Sequence, residues 1–266
     1  MKLLHEVNTI YWLTYPILAL VFSWYLLKFR LVWLSTFEYK AVDVVDFIAW
    51  GWVGLLAGGR LGYFIFYNRE TLFSDPTLLW DIWWGGMSFH GAILGFFTAS
   101  LVVAKIKGRS PWPFLAESTI VAPIAIFVGR IGNFLNGELW GRVTDVPWGM
   151  AFPKSGTLEN RHPSQLYEAV AEGLILFFLM SFLSKRLHAS ELGTGNGSKI
   201  MALVFVALYS VLRFAVEFFR APDVQIGYLV FKFTLGQWLS VVLFCLVAPL
   251  LYHAWQKTNS FVKSAP

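Results

Sequence analysis

Residues 234–256 read TLGQWLSVVLFCLVAPLLYHAWQ, with no Asp, Glu, Lys or Arg among them. As an α-helix rising 1.5 Å per residue, such a stretch reaches roughly 34 Å. That is enough to cross a hydrocarbon core of about 30 Å. Inside a bilayer no water satisfies backbone N–H and C=O groups, so a spanning run has to close its hydrogen bonds internally, as a helix does. Comparable runs recur upstream, near 9–28, 44–67, 87–105, 113–135, 165–184 and 199–219. Period-2 alternation of the barrel type is absent. The composition agrees: 57% of residues are hydrophobic and 14% charged, whereas soluble domains carry about a quarter charged residues. The expected fold is all-α, a polytopic membrane helix bundle of about seven transmembrane helices. It forms a single transmembrane domain over 1–266, without internal repeats. The run near 9–28 is read as a retained span, because its basic residues Lys28 and Arg30 follow the apolar stretch instead of preceding it.

Basic residues set the orientation. Lys28, Arg30, Lys40, Lys105, Lys107, Arg109, Lys185, Arg186 and Lys199 follow spans one, three and five, and Lys257 and Lys263 lie in the tail. The opposite face holds Lys2, Arg69, Arg142, Lys154, Arg161, Arg220 and Lys232, interleaved with acids. The larger set marks the cytoplasm, so the N-terminus is expected outside and the C-terminus inside. The net charge of +5 follows from these loops and is not a nucleic-acid signal. Residues 136–164 form the longest hydrophilic stretch, read as a small outer loop region. Trp140, Pro147, Trp148, Pro153 and Pro163 make it rigid. Trp148 is either part of that loop's surface or an interfacial anchor. Residues 191–198, with Gly193, Gly195, Asn196, Gly197 and Ser198, read as a flexible linker. The single cysteine, Cys245, excludes an intrachain disulfide framework and reads as a buried hydrophobe.

Three arginines, Arg60, Arg130 and Arg213, fall inside spans. A charge at mid-membrane costs about 2.5–3.5 kcal/mol on insertion scales, so each needs a partner or a task. The flat guanidinium fork suits a phosphate or a carboxylate. Arg130 lies in the block from Gly129-Arg130 through Asn133, Gly137 and Glu138 to Gly141-Arg142. If the helix continues, Arg130, Asn133 and Gly137 share one face. Glycines 129, 132 and 137 remove bulk beside the charge. They either admit a lipid headgroup or form a helix-packing seam in which Arg130 pairs with Glu138. Span six carries Tyr209, Arg213 and Glu217 at four-residue spacing, with Arg220 beyond, all on one stripe. Arg213 and Glu217 can pair, as a structural ion pair or as part of an anion site.

His90 begins span three after Gly85-Gly86-Met87-Ser88-Phe89. It is either a general base or a hydrogen-bonding residue. His162, ahead of Pro163, is read as structural, with Pro163 starting span five. No histidine–carboxylate grouping has metal-ligand spacing. These residues describe a cationic, hydrogen-bonding cavity open to the outer leaflet, suited to an anionic lipid headgroup.

Several blocks resemble the prolipoprotein diacylglyceryl transferases of bacteria. The most specific is Gly129-Arg130 through Gly141-Arg142. Others are Met87-Ser88-Phe89-His90-Gly91, Gly59-Arg60-Leu61-Gly62-Tyr63 with Tyr67-Asn68, Arg161-His162-Pro163 through Glu168, and Arg213 through Asp223. The resemblance implies a transferase in the bacterial inner membrane. It would move the diacylglyceryl group of phosphatidylglycerol to the lipobox cysteine of a prolipoprotein signal peptide and release glycerol phosphate, with no cofactor or metal. It implies functional roles for Arg130, Asn133, Glu138, Gly141, Arg213 and Glu217, a catalytic one for His90, and phosphatidylglycerol binding for Arg130. Glu138 either joins the chemistry or positions an arginine. Arg60, Tyr209 and Arg220 complete the expected substrate-binding set. The family's first-span tyrosine aligns with Tyr11, or alternatively Tyr15, but the His and Gly around it are lost here. The rival readings are an anionic-phospholipid transporter and an inactive prolipoprotein-binding relative.

Overall fold

The computed structural model describes residues 17–80, 86–190, 195–223 and 226–264. Among the described residues seven helices are long and apolar enough to cross a membrane: α1 Ile17–Ser35, α2 Ala41–Tyr67, α3 Phe89–Lys107, α4 Trp112–Leu135, α5 Ser164–Lys185, α6 Asn196–Val216 and α7 Leu235–Thr258. Val32, Leu94, Ile106, Phe178 and Leu246 are each more than 60% exposed. Large apolar side chains turned outward on several helices suit a lipid-facing belt.

Two boundaries depart from expectation. The first span was expected near 9–28, yet α1 runs through Lys28 and Arg30 to Ser35. Its apolar pattern resumes at Leu31–Leu34, and the two cations lie over rings of their own helix, Lys28 over Trp24 and Arg30 over Trp33. Long basic side chains can cover apolar surface in this way while keeping their charge in a polar layer. The linker expected over 191–198 is partly helical, since the helix begins at Gly195. Asn196 closes it by donating to the Ala254 carbonyl and to Thr258 Oγ1, at 3.0 and 2.5 Å. Residues 9–16, including Tyr11 and Tyr15, and residues 191–194 lie outside the described part.

The chain divides into two compact units, Ser23–Leu115 and Ala116–Pro266 with Met1–Phe22. In the first, α2 and α3 meet along a ladder of small residues. A Cβ on Gly58 would stand 2.3 Å from the Gly91 carbonyl oxygen, and one on Gly95 2.0 Å from that of Gly54. Only glycine allows two helix backbones this close, and close approach is what drives helix pairing where lipid removes the hydrophobic effect. At one end of this pair Arg109 bonds Glu38 at 2.9 Å and Asp43 at 3.5 Å, and Lys107 pairs with Asp46.

In the second unit, Ile200, Leu203 and Ala207 of α6 pack against Val247 and Ala254 of α7. The loop over 136–164 is built, as its aromatic and proline content suggested. Its strands β1 (Met150–Ala151) and β2 (Asn160–Arg161) are antiparallel, with Met150 opposite Arg161. Phe152 is buried between Trp140 and Phe134. Pro163 stands at the start of α5, its carbonyl accepting the Leu166 N–H at 2.9 Å.

A buried arginine–glutamate cluster as candidate active site

Arg130 sits near the end of α4, where α5 comes unusually close. A Cβ on Gly173 would lie 2.6 Å from Phe127 Cβ and 2.9 Å from its Cα. So glycine at 173 brings the α5 backbone against α4 just before Arg130. Here α5 widens into a π-helical stretch, Ala169–Ile175. Such turns are rare and occur often at functional sites. Glu168 precedes the stretch and Glu172 lies in it, both fully buried. Arg130 Nε is 2.8 Å from Glu168, and its Nη2 donates to Glu172 at 3.4 Å.

Tyr209, Arg213, Glu217 and Arg220 are all buried, on the stripe their spacing indicated. The expected pair forms: Arg213 Nη2 lies 2.6 Å from Glu217. Arg213 Nη1 also lies 3.1 Å from Glu168 and 3.3 Å from Glu172. Arg220 reaches Glu168 at 3.7 Å and Asp223 at 3.3 Å. Arg130, Arg213 and Arg220 therefore share Glu168. In a low-dielectric interior an unpaired ion would cost several kcal/mol, about 3–5 when one partner of a buried pair is removed. Mutual pairing is what keeps all these charges inside.

Glu217 is set from the opposite side by α7. Thr234 and Gln237 form a reciprocal capping box: the Gln237 N–H donates to Thr234 Oγ1 at 3.2 Å, and the Thr234 N–H donates to Gln237 Oε1 at 3.0 Å. The same Thr234 hydroxyl donates to Glu217 Oε1 at 2.9 Å. A Cβ on Gly236 would be 2.8 Å from that oxygen. The glycine thus leaves room for a carboxylate at a helix N-terminus, where the helix dipole favours negative charge.

The Gly129–Arg142 block splits in two. Helix α4 stops at Leu135 and Gly137 has a positive φ of 60°, so Gly137 does not share the Arg130–Asn133 face. At Gly129 and Gly137 no packing seam forms among the described residues: nothing lies within 4 Å of a Cβ built on either. The seam is between α2 and α3 instead. Nor does Arg130 pair with Glu138. The Glu138 carboxylate accepts from Asn133 Nδ2 at 2.8 Å, while Arg130 turns to α5. The backbone beyond is clamped to the α5 start, with Gln165 donating to the Glu138 carbonyl at 2.6 Å and Ser164 to that of Leu139 at 3.1 Å.

Gly141 is wedged between two backbones. Its N–H donates to the His162 carbonyl at 2.9 Å, and a Cβ there would meet that oxygen at 2.5 Å and the Phe219 oxygen at 2.6 Å. Arg142 then donates from Nε to the Arg220 carbonyl at 3.0 Å and from Nη2 to that of Glu217 at 3.5 Å. His162 is structural in its surroundings, packed on Phe219 with Nδ1 3.1 Å from the Tyr167 hydroxyl. That hydroxyl also accepts from Trp148 Nε1 at 2.6 Å.

His90 and Arg60 belong to the other unit. Ser88 caps α3, accepting the Gly91 N–H at 3.3 Å, and its own N–H donates to the Gly59 carbonyl at 2.8 Å. His90 is thereby held on the first turn of α3, beside the glycine ladder. Arg60 donates to the carbonyls of Leu78, Leu79 and Gly86 at 2.6, 3.3 and 3.2 Å, so much of its fork shapes the segment that leads into His90. Among the described residues no group of His, Cys, Asp and Glu side chains could hold a metal ion.

Glu168, Glu172, Thr234 and Gly236 were not singled out from the sequence. Two carboxylates four residues apart at the head of a span were a usable signal, since buried arginines demand counter-ions. The spacing from Thr234 to Gln237 was another.

Comparison with known proteins points one way. A family model described as prolipoprotein diacylglyceryl transferase matches residues 5–253. The phosphatidylglycerol–prolipoprotein diacylglyceryl transferase of Allorhizobium ampelinum is 40% identical over 242 residues, 89% of this chain and 80% of its own length. Relatives of the same name from Vibrio vulnificus and Geobacter sulfurreducens are 45% and 47% identical, over 80% and 77% of this chain and 74% and 75% of theirs.

Proposed function

Because the chain belongs to the prolipoprotein diacylglyceryl transferase family, we propose that it carries out the reaction its relatives are named for, moving a diacylglyceryl group from phosphatidylglycerol to a prolipoprotein. The acceptor is the lipobox cysteine thiol. The thiol loses its proton, and the thiolate attacks the diacylglyceryl carbon bonded to the phosphate oxygen. A C–S bond forms, that C–O bond breaks, and glycerol phosphate leaves with the electron pair. The protein's own Cys245 takes no part.

The observation that carries this proposal is the cluster of half-buried Arg130 with buried Arg213 and Arg220 around Glu168, within the stretch matched by the family. Guanidinium groups in a dry, low-dielectric site stabilise charge that gathers on a phosphate leaving group. In this scheme Arg130 and Arg213 bind the phosphate, Glu217 holds Arg213, and Asn133, held by Glu138, orients a headgroup oxygen. His90 accepts the thiol proton. A free cysteine has a pKa near 8.5 and reacts as the thiolate, so a base is needed near neutral pH. Gly141 serves the site by letting two backbones meet, and Arg220 by joining Glu168 to the outer loop. Tyr209 borders the cluster, and Arg60 shapes the segment ahead of His90.

The protein is a multi-pass membrane protein. We place it in the bacterial inner membrane with its N-terminus periplasmic and its C-terminus cytoplasmic. The excess of basic residues around the C-terminal ends of α1, α3 and α5 and in the tail supports this orientation. Rescue of a strain depleted of its own transferase tests the function in cells. Growth with lipid-modified lipoproteins is the expected outcome. Failure to grow despite normal membrane insertion favours an inactive, prolipoprotein-binding relative.

A further inference from the structure

We propose that Glu168 is a positioning residue for diacylglyceryl transfer, holding the side edge of Arg130 so that the free end of its guanidinium meets the lipid phosphate. The inference rests on the function proposed above and adds a residue to it.

A guanidinium has two useful forks: a side edge formed by Nε and one Nη, and an end formed by both Nη groups. In Arg130 the side edge is taken. Nε lies 2.8 Å from Glu168 Oε2, and Nη2 donates to Glu172 Oε2 at 3.4 Å. Nη1 bonds none of the described residues. The Glu172 hydrogen bond and the Glu168 ion pair, the latter a charge contact without hydrogen-bond geometry, hold this edge and leave the end of the group for a ligand. Phosphate is the anion class that such a fork binds in a bidentate manner.

Glu168 also spaces the cations. The oxygen that meets Arg130 lies 3.1 Å from Arg213 Nη1, and its other oxygen lies 3.7 Å from Arg220 Nη1. Like charges this close repel strongly in a poorly polarisable interior. A carboxylate among them draws the forks to one point. Being fully buried, it has no water competing for its oxygens.

The glutamate is itself rigidly mounted. Ser164 and Gln165, on the same turn, bond the carbonyls of Leu139 and Glu138. On the other side Gly173 fits the π-helical stretch against Phe127. A carboxylate repels a phosphate, so Glu168 is not a lipid ligand and acts through Arg130.

The test uses the full-length protein in phosphatidylglycerol-containing nanodiscs with a lipobox peptide, reading kcat and the KM for phosphatidylglycerol. A misplacement of about 1 Å can cost on the order of 100-fold in rate. Glu168→Gln is expected to lower kcat by about that factor, with any rise in the KM for phosphatidylglycerol accompanying that loss. Glu168→Asp keeps the charge but is one methylene short. It is expected to fold with a wild-type melting temperature and still lose at least about tenfold in kcat. Wild-type kcat in Glu168→Gln overturns the proposal. So does a raised KM with kcat unchanged, which would make Glu168 a lipid contact. Full kcat in Glu168→Asp also overturns it, because charge alone would then suffice, and this variant decides the matter if Glu168→Gln does not fold. Wild-type protein that transfers nothing refutes the proposed function, whereas active wild type matched by Glu168→Gln refutes only this inference.

Discussion

Replacing Gly141 by alanine adds one methyl group where two backbones meet. The new Cβ would stand 2.5 Å from the His162 oxygen and 2.6 Å from the Phe219 oxygen. Carbon and oxygen rarely approach below about 3.3 Å even in weak C–H···O contacts, so one backbone has to retreat by roughly 0.8 Å. The bonds beside it, Gly141 N–H to His162 and Arg142 N–H to Phe219, are both 2.9 Å long. A retreat of that size takes them to about 3.7 Å, beyond useful hydrogen bonding. Two such bonds are worth about 1 kcal/mol each, and overpacking adds about 1–3 kcal/mol. The local cost is therefore about 3–5 kcal/mol, which disfavours the assembled arrangement by at least about 100-fold at 1.4 kcal/mol per tenfold. Arg142 would then leave the carbonyls of Arg220 and Glu217. The assay is transfer per folded molecule in proteoliposomes, with melting followed by size exclusion. Gly141→Ala should lose at least about 100-fold in transfer and melt earlier. Gly156→Ala is the control: nothing lies within 4 Å of its Cβ, though its φ of +75° adds strain of about 1–2 kcal/mol. It should keep its activity. Wild-type transfer and melting in Gly141→Ala would refute the reasoning.

Arg130→Ala should abolish transfer and Arg130→Lys should retain little of it, because an ammonium replaces a planar fork; peptide modification followed by mass spectrometry measures both. Gly58→Ala and Gly129→Ala both change a helical glycine yet should shift the melting temperature in opposite directions. Gly58 would strike the Gly91 oxygen at 2.3 Å, whereas Gly129 meets nothing within 4 Å and gains about 0.8–1 kcal/mol of helix propensity. Cys245→Ser should leave kcat and KM close to wild type, and a large loss would give that thiol a role.

The spans were legible because a bilayer leaves so few solutions: apolar runs near 44–67, 87–105, 113–135 and 234–256 became α2, α3, α4 and α7 with small shifts. The end of the first span was set too early because Lys28 and Arg30 look like a terminus, whereas long side chains lying over Trp24 and Trp33 let the helix run on to Ser35. Cys245 was read as buried but is exposed, since a lipid-facing position looks the same in sequence as a core position. At the site, four-residue spacing revealed the Arg213–Glu217 pair. Spacing could not reveal that Arg130 looks to Glu168 and Glu172 and not to Glu138. That pairing depends on the packing of α5 against α4 at Gly173, a contact between residues far apart in the chain. The role of Gly141 was hidden for the same reason. Its spacing does not show that it sits at a junction between the backbones of His162 and Phe219.

The most direct test is mass spectrometry of a lipobox peptide after incubation with the purified protein in phosphatidylglycerol vesicles. The peptide should gain one diacylglyceryl group on its cysteine, in step with release of glycerol phosphate, and Arg130→Ala should give neither product. An unmodified peptide with active wild-type membrane protein, under conditions where a relative of the family modifies it, would contradict the account.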